Sequence, residues 1–321
     1  MRKNTKAEDA IGRGKNVVGW TVISSLLVLG LVVAGILIFH PTQPHRWTDE
    51  ELQDPVNLKR FIQERLTVIV AAIPADLHWS TDSVPLKETL TLVRDTVLDE
   101  TLVLAEEARV AAANGQRLTV DYVPDIHVAP GFEQAEASML RQQAILRYVE
   151  QTQPALILLE GHAPGDLTSA SLREQMRGAP MDGANAQDLV EFRQWVQMST
   201  ELDMAWWFHY LDHPTIKLVG VDSEPLAVSV HILDEVESEL ARGAPIAPLA
   251  EGYCTQTADR IAIEFRNYYI LSQVVRQMRA RGATQAHLAL GASHIESMSR
   301  LAKDWGITLN VVLWPPEGGR P

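Results

Sequence analysis

The chain has 321 residues, 46% of them hydrophobic and 21% charged, a length for one large domain or two modest ones and a composition that excludes wholesale disorder and collagen-like order. A single cysteine, Cys254, excludes an intramolecular disulfide framework and a multi-cysteine zinc or iron–sulfur centre, so any metal must be held by His, Asp or Glu. The formal charge is −13, and because residues 1–16 carry a net +3 the remainder carries −16; that acidity argues against DNA or RNA as partners, whose phosphates need Lys and Arg.

The basic tail, residues 1–16, precedes an uncharged run of 23 residues at 17–39 (VVGWTVISSLLVLGLVVAGILIF). As a helix that run is about 35 Å long, enough to span a bilayer. A cleaved signal peptide has an apolar region of about 7–15 residues and then a small-residue cleavage site. Here the run is longer and ends Ile-Phe-His-Pro, which points to one uncleaved N-terminal transmembrane helix. With Asp49, Glu50, Glu51 and Asp54 after the span, the positive-inside rule keeps the N-terminus cytoplasmic. The expectation is a single-pass protein of the inner or cell membrane with a periplasmic or extracellular domain.

Residues 40–55, with Pro41, Pro44 and Pro55, read as a stiff linker. A helical membrane-proximal segment follows at 56–115. One helix is expected from Leu58 to about Ala72 and a longer one from about Val84 to Ala113, stopped by Asn114-Gly115. In the longer helix Leu86, Leu90, Val93, Val97, Leu104 and Ala108 form a stripe. Such a stripe suits a face packed on the domain; a dimerising coiled coil is the alternative, which leaves a homodimer open.

From 116 to 321 the pattern alternates. Strand candidates are Leu118–Val123, Ala155–Leu159, Ile216–Val221, His287–Leu290 and Ile307–Leu313, with helices near 133–152, 184–211, 226–242, 256–281 and 293–304. This alternation predicts an α/β fold with a mainly parallel sheet flanked by helices. In such sheets chemistry collects beyond the carboxyl ends of the strands. Those ends read Pro124-Asp125-Ile126-His127, Leu159-Glu160-Gly161-His162, Gly220-Val221-Asp222 and Gly291-Ala292-Ser293-His294. Together they describe a pocket of imidazoles and carboxylates suited to a divalent metal or to general acid–base work. Singly each has a plain alternative: His294 as a helix cap, His127 or His162 as a satisfied polar residue.

Two stretches, VPDIHVAPGFEQAEASMLRQQAILRYVEQTQPALILLEG and EFRNYYILSQVVRQMRARGATQAHLALGASHIESMSRLAKDWGITLNVV, resemble the opening and closing sections of the TraB/TIKI superfamily, which also embraces erythromycin esterase-like and ChaN-like proteins. In that family a strand ends in G-x-x-H, a Gln-bearing helix follows, and the next strand ends in Glu; later come an Arg-Asn helix and a second G-x-x-H. Matched residue by residue, His127 is the first motif histidine, Glu160 the acid, His294 the second histidine, and Arg266 with Asn267 the late-helix pair. One departure is Pro124, where the family usually has Gly. Proline lacks the N–H and fixes φ.

The resemblance implies a metal-dependent hydrolase, acting on a peptide or a small molecule, with His127, Glu160 and His294 as ligands of a divalent ion. Related members suggest manganese or cobalt; the donor types equally allow zinc. Arg266 would steady an oxyanion or clamp a substrate carboxylate, or it would pair with Glu160 or Asp222. Asp222, His162 and Asn267 are further candidates. A metal-free esterase-like reaction with a histidine base, and a non-catalytic haem-binding pocket on the same fold, are the alternatives. Ser293 lacks the second Gly of a nucleophile elbow. The Trp206–Tyr210 patch reads as a packed helix face ahead of a substrate lid.

Overall fold

The computed structural model describes residues 45–74, 86–125, 132–168, 205–206, 209–210, 213 and 215–313. The chain divides into a unit of residues 1–49 and a unit of residues 50–321, and the second holds all the helices and strands named here. The expected membrane span at 17–39 lies outside the described residues, among which no helix is long and apolar enough to cross a membrane. The helix expected at 184–211 is described only at 205–206 and 209–210.

Helix α1 (Pro55–Ala72) starts where its sequence dictates: the Asp54 carboxylate accepts the N–H groups of Val56 and Asn57, and Pro55 fills the first turn. Leu58, Phe61, Ile62, Leu66 and Ile69 form its buried stripe. Next come α2 (Leu86–Leu92), a π-turn (Val93–Val97) and α3 (Leu98–Ala113). The sheet elements follow: β1 (Thr119–Asp125), α4 (Phe132–Thr152), β2 (Leu156–Leu159), β3 (Gly165–Asp166) and β4 (Lys217–Gly220). After them run α5 (Glu224–Ala241), then α6 (Tyr253–Asp259), a second π-turn (Arg260–Phe265) and α7 (Arg266–Ala280) as one unbroken helical stretch. The last elements are β5 (Gln285–Gly291), a 3-10 turn (Ala292–His294), α8 (Ile295–Asp304) and β6 (Thr308–Val311).

The strands form one sheet of order β3-β4-β2-β5-β1-β6. All neighbours pair in parallel except β3, which runs antiparallel to β4. The fold is therefore α/β, a mostly parallel six-stranded sheet flanked by helices. β2 shows why such a sheet must be covered twice: all four of its residues are buried, and successive side chains face opposite ways. Leu156 and Leu158 pack with Ala105 and Ala108 of α3, with α7 and with α8. Ile157 and Leu159 join Ile145 and Val149 of α4 and the fully buried Trp206 on the other face. Trp206 is thus core, as the packed reading of its patch requires.

On α2 and α3 the buried residues are Leu86, Leu90, Val93, Val97, Leu98, Thr101, Ala105 and Ala108, while Leu104 is only half-buried. The π-turn inserts a residue into the helical repeat, so the seam passes from Val97 to Thr101 and Ala105 and leaves Leu104 behind.

Pro124 sits within β1, opposite Leu290 of β5. Even-numbered residues turn their backbone groups toward β6: Leu118, just before β1, accepts Thr308 N–H, and Tyr122 accepts Val312 N–H. The β1–β6 pairs end at Tyr122 and Val311. The Val312 bond to Tyr122 carries the register one residue further, so the N–H that Pro124 lacks is the donor that would meet the Val312 carbonyl, and the ladder to the edge strand β6 stops there.

Candidate functional site

The carboxyl ends of β2, β4 and β5 are neighbours in the sheet, and each leads into a polar residue that is at least nine-tenths buried: Glu160, Asp222 and His294. Two glycines make this close assembly feasible. Gly161 has φ +77°, a left-handed turn that lets the chain leave β2 at once. At Gly220 a Cβ would lie 2.1 Å from the carbonyl oxygen of Ala163; the loop carrying His162 crosses β4 there in direct backbone contact. Asp222 N–H donates to the His162 carbonyl across the same crossing at 2.8 Å.

Arg266 stands between the two carboxylates. Its Nη2 donates to Glu160 Oε1 at 2.8 Å and to Asp222 Oδ2, and its Nε donates to Asp222 Oδ1 at 3.1 Å. The guanidinium side chain is 11% exposed. Burial works against its charge, but Asp222 and then Glu160 outweigh that, and its pKa is raised. Arg266 therefore pairs with both acids rather than standing free to clamp a substrate carboxylate.

Backbone donors hold the acids in place. Asp222 accepts the N–H groups of Gly161 at 2.9 Å and Ser223 at 2.7 Å. Glu160 Oε2 accepts Gly291 N–H at 2.8 Å, while the phenol of buried Tyr122 donates to the Gly291 carbonyl. Burial, with the Glu160 charge adding to it, pushes the Tyr122 pKa far above the ordinary phenol value.

His294 completes the cluster. Its Nδ1 is 2.7 Å from Asn267 Oδ1, and its Nε2 is 3.5 Å from Glu160 Oε1. An amide oxygen only accepts, so with Asn267 Oδ1 toward the ring Nδ1 carries the proton and, in the neutral ring, Nε2 carries a lone pair. A lone pair and a carboxylate oxygen thus face each other with no hydrogen between them. The π-turn at Arg260–Phe265 ends immediately before Arg266 and Asn267. The extra residue of such a turn re-aims the side chains after it, and here two successive residues reach the acids and the imidazole.

Among the described residues, no three His, Cys, Asp or Glu side chains gather closely enough to hold a metal ion. Glu160 and His294 fit as two donors: their 3.5 Å separation matches that of neighbouring ligands on a tetrahedral ion, about 3.3–3.6 Å for bonds of about 2.0–2.2 Å. The third expected ligand, His127, lies outside the described residues. β1 brings the chain to this edge at Asp125, paired with Gly291.

The cluster opens on a cavity of about 640 Å³, the size of a small-molecule site. Glu160, Asp222, Arg266, His294 and His162 line it, with an apolar wall of Ala227 and Val228 from α5 and Ala262 and Ile263 from the π-turn. Glu224 and His231 of α5 also line the cavity; sequence reasoning missed them, because both sit within an ordinary amphipathic helix. Tyr122 was equally hidden, an aromatic inside a strand. The structure thus brings Glu160, Asp222, His162, Arg266, Asn267 and His294 to one locality. Comparisons of the chain with protein-family models, with curated proteins and with solved structures return no match.

Proposed function

We propose that this chain is a membrane-anchored hydrolase of the TraB/TIKI type, in which Glu160, His294 and His127 hold a divalent metal ion. The observation that carries the reading is the pair of facing acceptors, His294 Nε2 and Glu160 Oε1, 3.5 Å apart beside the cavity. Arg266 Nη2 also meets Oε1 but leaves the Nε2 lone pair unmatched, and a cation between the two acceptors would serve both. A bound ion of this kind lowers the pKa of a ligated water and polarises a carbonyl. The protein's own groups do the rest. Glu160 is fixed by Gly291 N–H and Arg266, and His294 by Asn267. Nη1 of Arg266 makes no hydrogen bond among the described residues, unlike Nε and Nη2, and serves as the donor toward a developing oxyanion. The apolar wall of α5 and the π-turn receives the uncharged part of a peptide or small-molecule substrate.

The test is elemental analysis of the full chain, purified without chelators, alongside hydrolysis of fluorogenic peptides and p-nitrophenyl esters. The expected result is stoichiometric manganese, cobalt or zinc, lost in Glu160→Gln and His294→Ala, with hydrolysis abolished by chelation and restored by added metal. A metal-free chain that hydrolyses neither class of substrate under any metal supplementation overturns the proposal.

A second reading is favoured by one observation: Arg266 Nη2 lies 2.8 Å from the same Glu160 oxygen and already supplies positive charge there. In that reading His294 Nε2 acts as general base on water without a metal, and hydrolysis survives chelation.

A further inference from the structure

We propose that Asn267 is a positioning residue: it locks His294 in the Nδ1–H tautomer and so keeps Nε2 as the acceptor that faces Glu160. This rests on the proposed function, in which His294 is the working imidazole. It holds in both versions of that function, since ligation and general base catalysis alike need the Nε2 lone pair.

Both residues are buried, at 0% exposed for Asn267 and 3% for His294. Asn267 is closed to solvent, so at Nδ1 the ring meets the amide and not water. The choice of tautomer is lopsided. With the proton on Nδ1, a hydrogen bond of 2.7 Å forms to Asn267 Oδ1. With the proton on Nε2, either two acceptors are left 2.7 Å apart or the amide must turn its Nδ2 to the ring, and the contact to Glu160 Oε1 is stretched to 3.5 Å. In the arrangement the structure shows, with Oδ1 on the ring, the ring proton goes to Asn267 and not to Glu160.

The other end of the amide supports the same conclusion. Asn267 Nδ2 is buried and has no hydrogen-bond partner among the described residues. A buried amide with an idle NH₂ group is a poor stabiliser compared with an apolar residue of the same size. Its presence here is accounted for by what Oδ1 does to His294. Position on the chain matters too: Asn267 directly follows Arg266, so one turn of helix both neutralises Glu160 and orients the imidazole beside it.

The experiment reads the tautomer directly. The full chain, in detergent, carries ¹⁵N-labelled histidine rings and is stripped of metal by chelator; the His294 signals are assigned by their loss in His294→Gln. For the neutral ring the expected pattern is a pyrrole-type Nδ1 and a pyridine-type Nε2. In Asn267→Leu the proton moves to Nε2, and Mn²⁺ affinity drops by about 10–100-fold. Asn267→Asp, whose carboxylate also only accepts, restores the Nδ1–H pattern. A pyridine-type Nδ1 in the unsubstituted chain overturns the proposal, as does an Asn267→Leu spectrum that keeps Nδ1–H. If Asn267→Leu does not fold, the unsubstituted spectrum decides by itself. If the unsubstituted chain takes up none of Mn²⁺, Co²⁺ and Zn²⁺, the metal reading falls while the tautomer measurement still judges Asn267.

Discussion

Replacing Arg266 by Met tests whether the cluster is a dry, interdependent unit. The substitution keeps much of the side-chain volume and removes the charge, leaving Glu160 and Asp222 facing each other in a site where their side chains are 10% and 3% exposed. Removing one partner of a buried ion pair costs about 3–5 kcal/mol, chiefly because the remaining charge is uncompensated. Three charge-assisted hydrogen bonds disappear with the guanidinium, which places the expectation at the upper part of that range. For a domain of this size, each kcal/mol shifts the midpoint by about 2–4 °C, so thermal unfolding followed by circular dichroism should show a fall of about 8–20 °C. Arg266→Lys keeps the charge but not the fork that spans both acids, and should recover part of the loss. A loss below about 1 kcal/mol for Arg266→Met is what a solvated surface pair gives. That result would refute the picture of a water-excluded cluster, and with it the electrostatic argument for Glu160.

Two glycine substitutions separate conformational strain from overlap. Gly161→Ala meets nothing within 4 Å but must adopt φ +77°, costing about 1–2 kcal/mol, whereas Gly220→Ala drives a Cβ to 2.1 Å from a backbone oxygen and should be the more damaging by denaturant titration; the reverse order would refute the close crossing. His287 lies between the rings of Tyr148 and Trp206 with Thr152 Oγ1 on its Nε2, and burial lowers its pKa against the opposing pull of Asp121. The unfolded chain then binds the proton more tightly, so this contribution is complete above about pH 6.5 and shrinks as pH falls below it. Unfolding free energies should therefore decline more steeply from about pH 7 to 5 in the unsubstituted chain than in His287→Leu, and equal slopes would contradict the assignment. For the proposed topology, a reporter fused after Pro321 should be active only in a form that works outside the cytoplasm; a cytoplasmic signal would reverse the orientation.

Much of the architecture was legible because parallel strands buried on both faces are written as apolar runs. The five strands expected from such runs all occur, with ends shifted by one or two residues. β3 was missed, since Gly165-Asp166 carries no strand signal and exists only because β4 offers an edge. The order of strands was not legible either: β5 inserts between β1 and β2 although it follows them by well over a hundred residues, and local composition does not encode such pairings. At the site, the strand-end rule found Glu160, Asp222 and His294, whereas the roles within the cluster needed coordinates. Nothing in the letters Arg-Asn says that the first residue spans two acids and the second grips an imidazole. Both π-turns were invisible for a related reason. A helical stripe read at one fixed period slides past a single inserted residue, as the misplacing of Leu104 shows.

The second π-turn also bears on how this site can be gained or lost along a lineage. The stretch from Tyr253 to Ala280 is one rod with one residue too many between Arg260 and Phe265. Deleting that residue would restore regular winding and turn the rod's two halves by about 100° relative to each other. The C-terminal half is clamped in the sheet's core by Ile270, Leu271, Val274 and Met278, and the N-terminal half is held by Glu237, whose carboxylate accepts the N–H groups of Gly252 and Cys254. Neither half can rotate freely, so Arg266 and Asn267, at the junction, would absorb the mismatch. A one-letter gap in a related sequence between these positions would then mark a chain that kept its fold and every site residue yet lost the alignment of its site, a difference that comparison of the site residues alone would overlook.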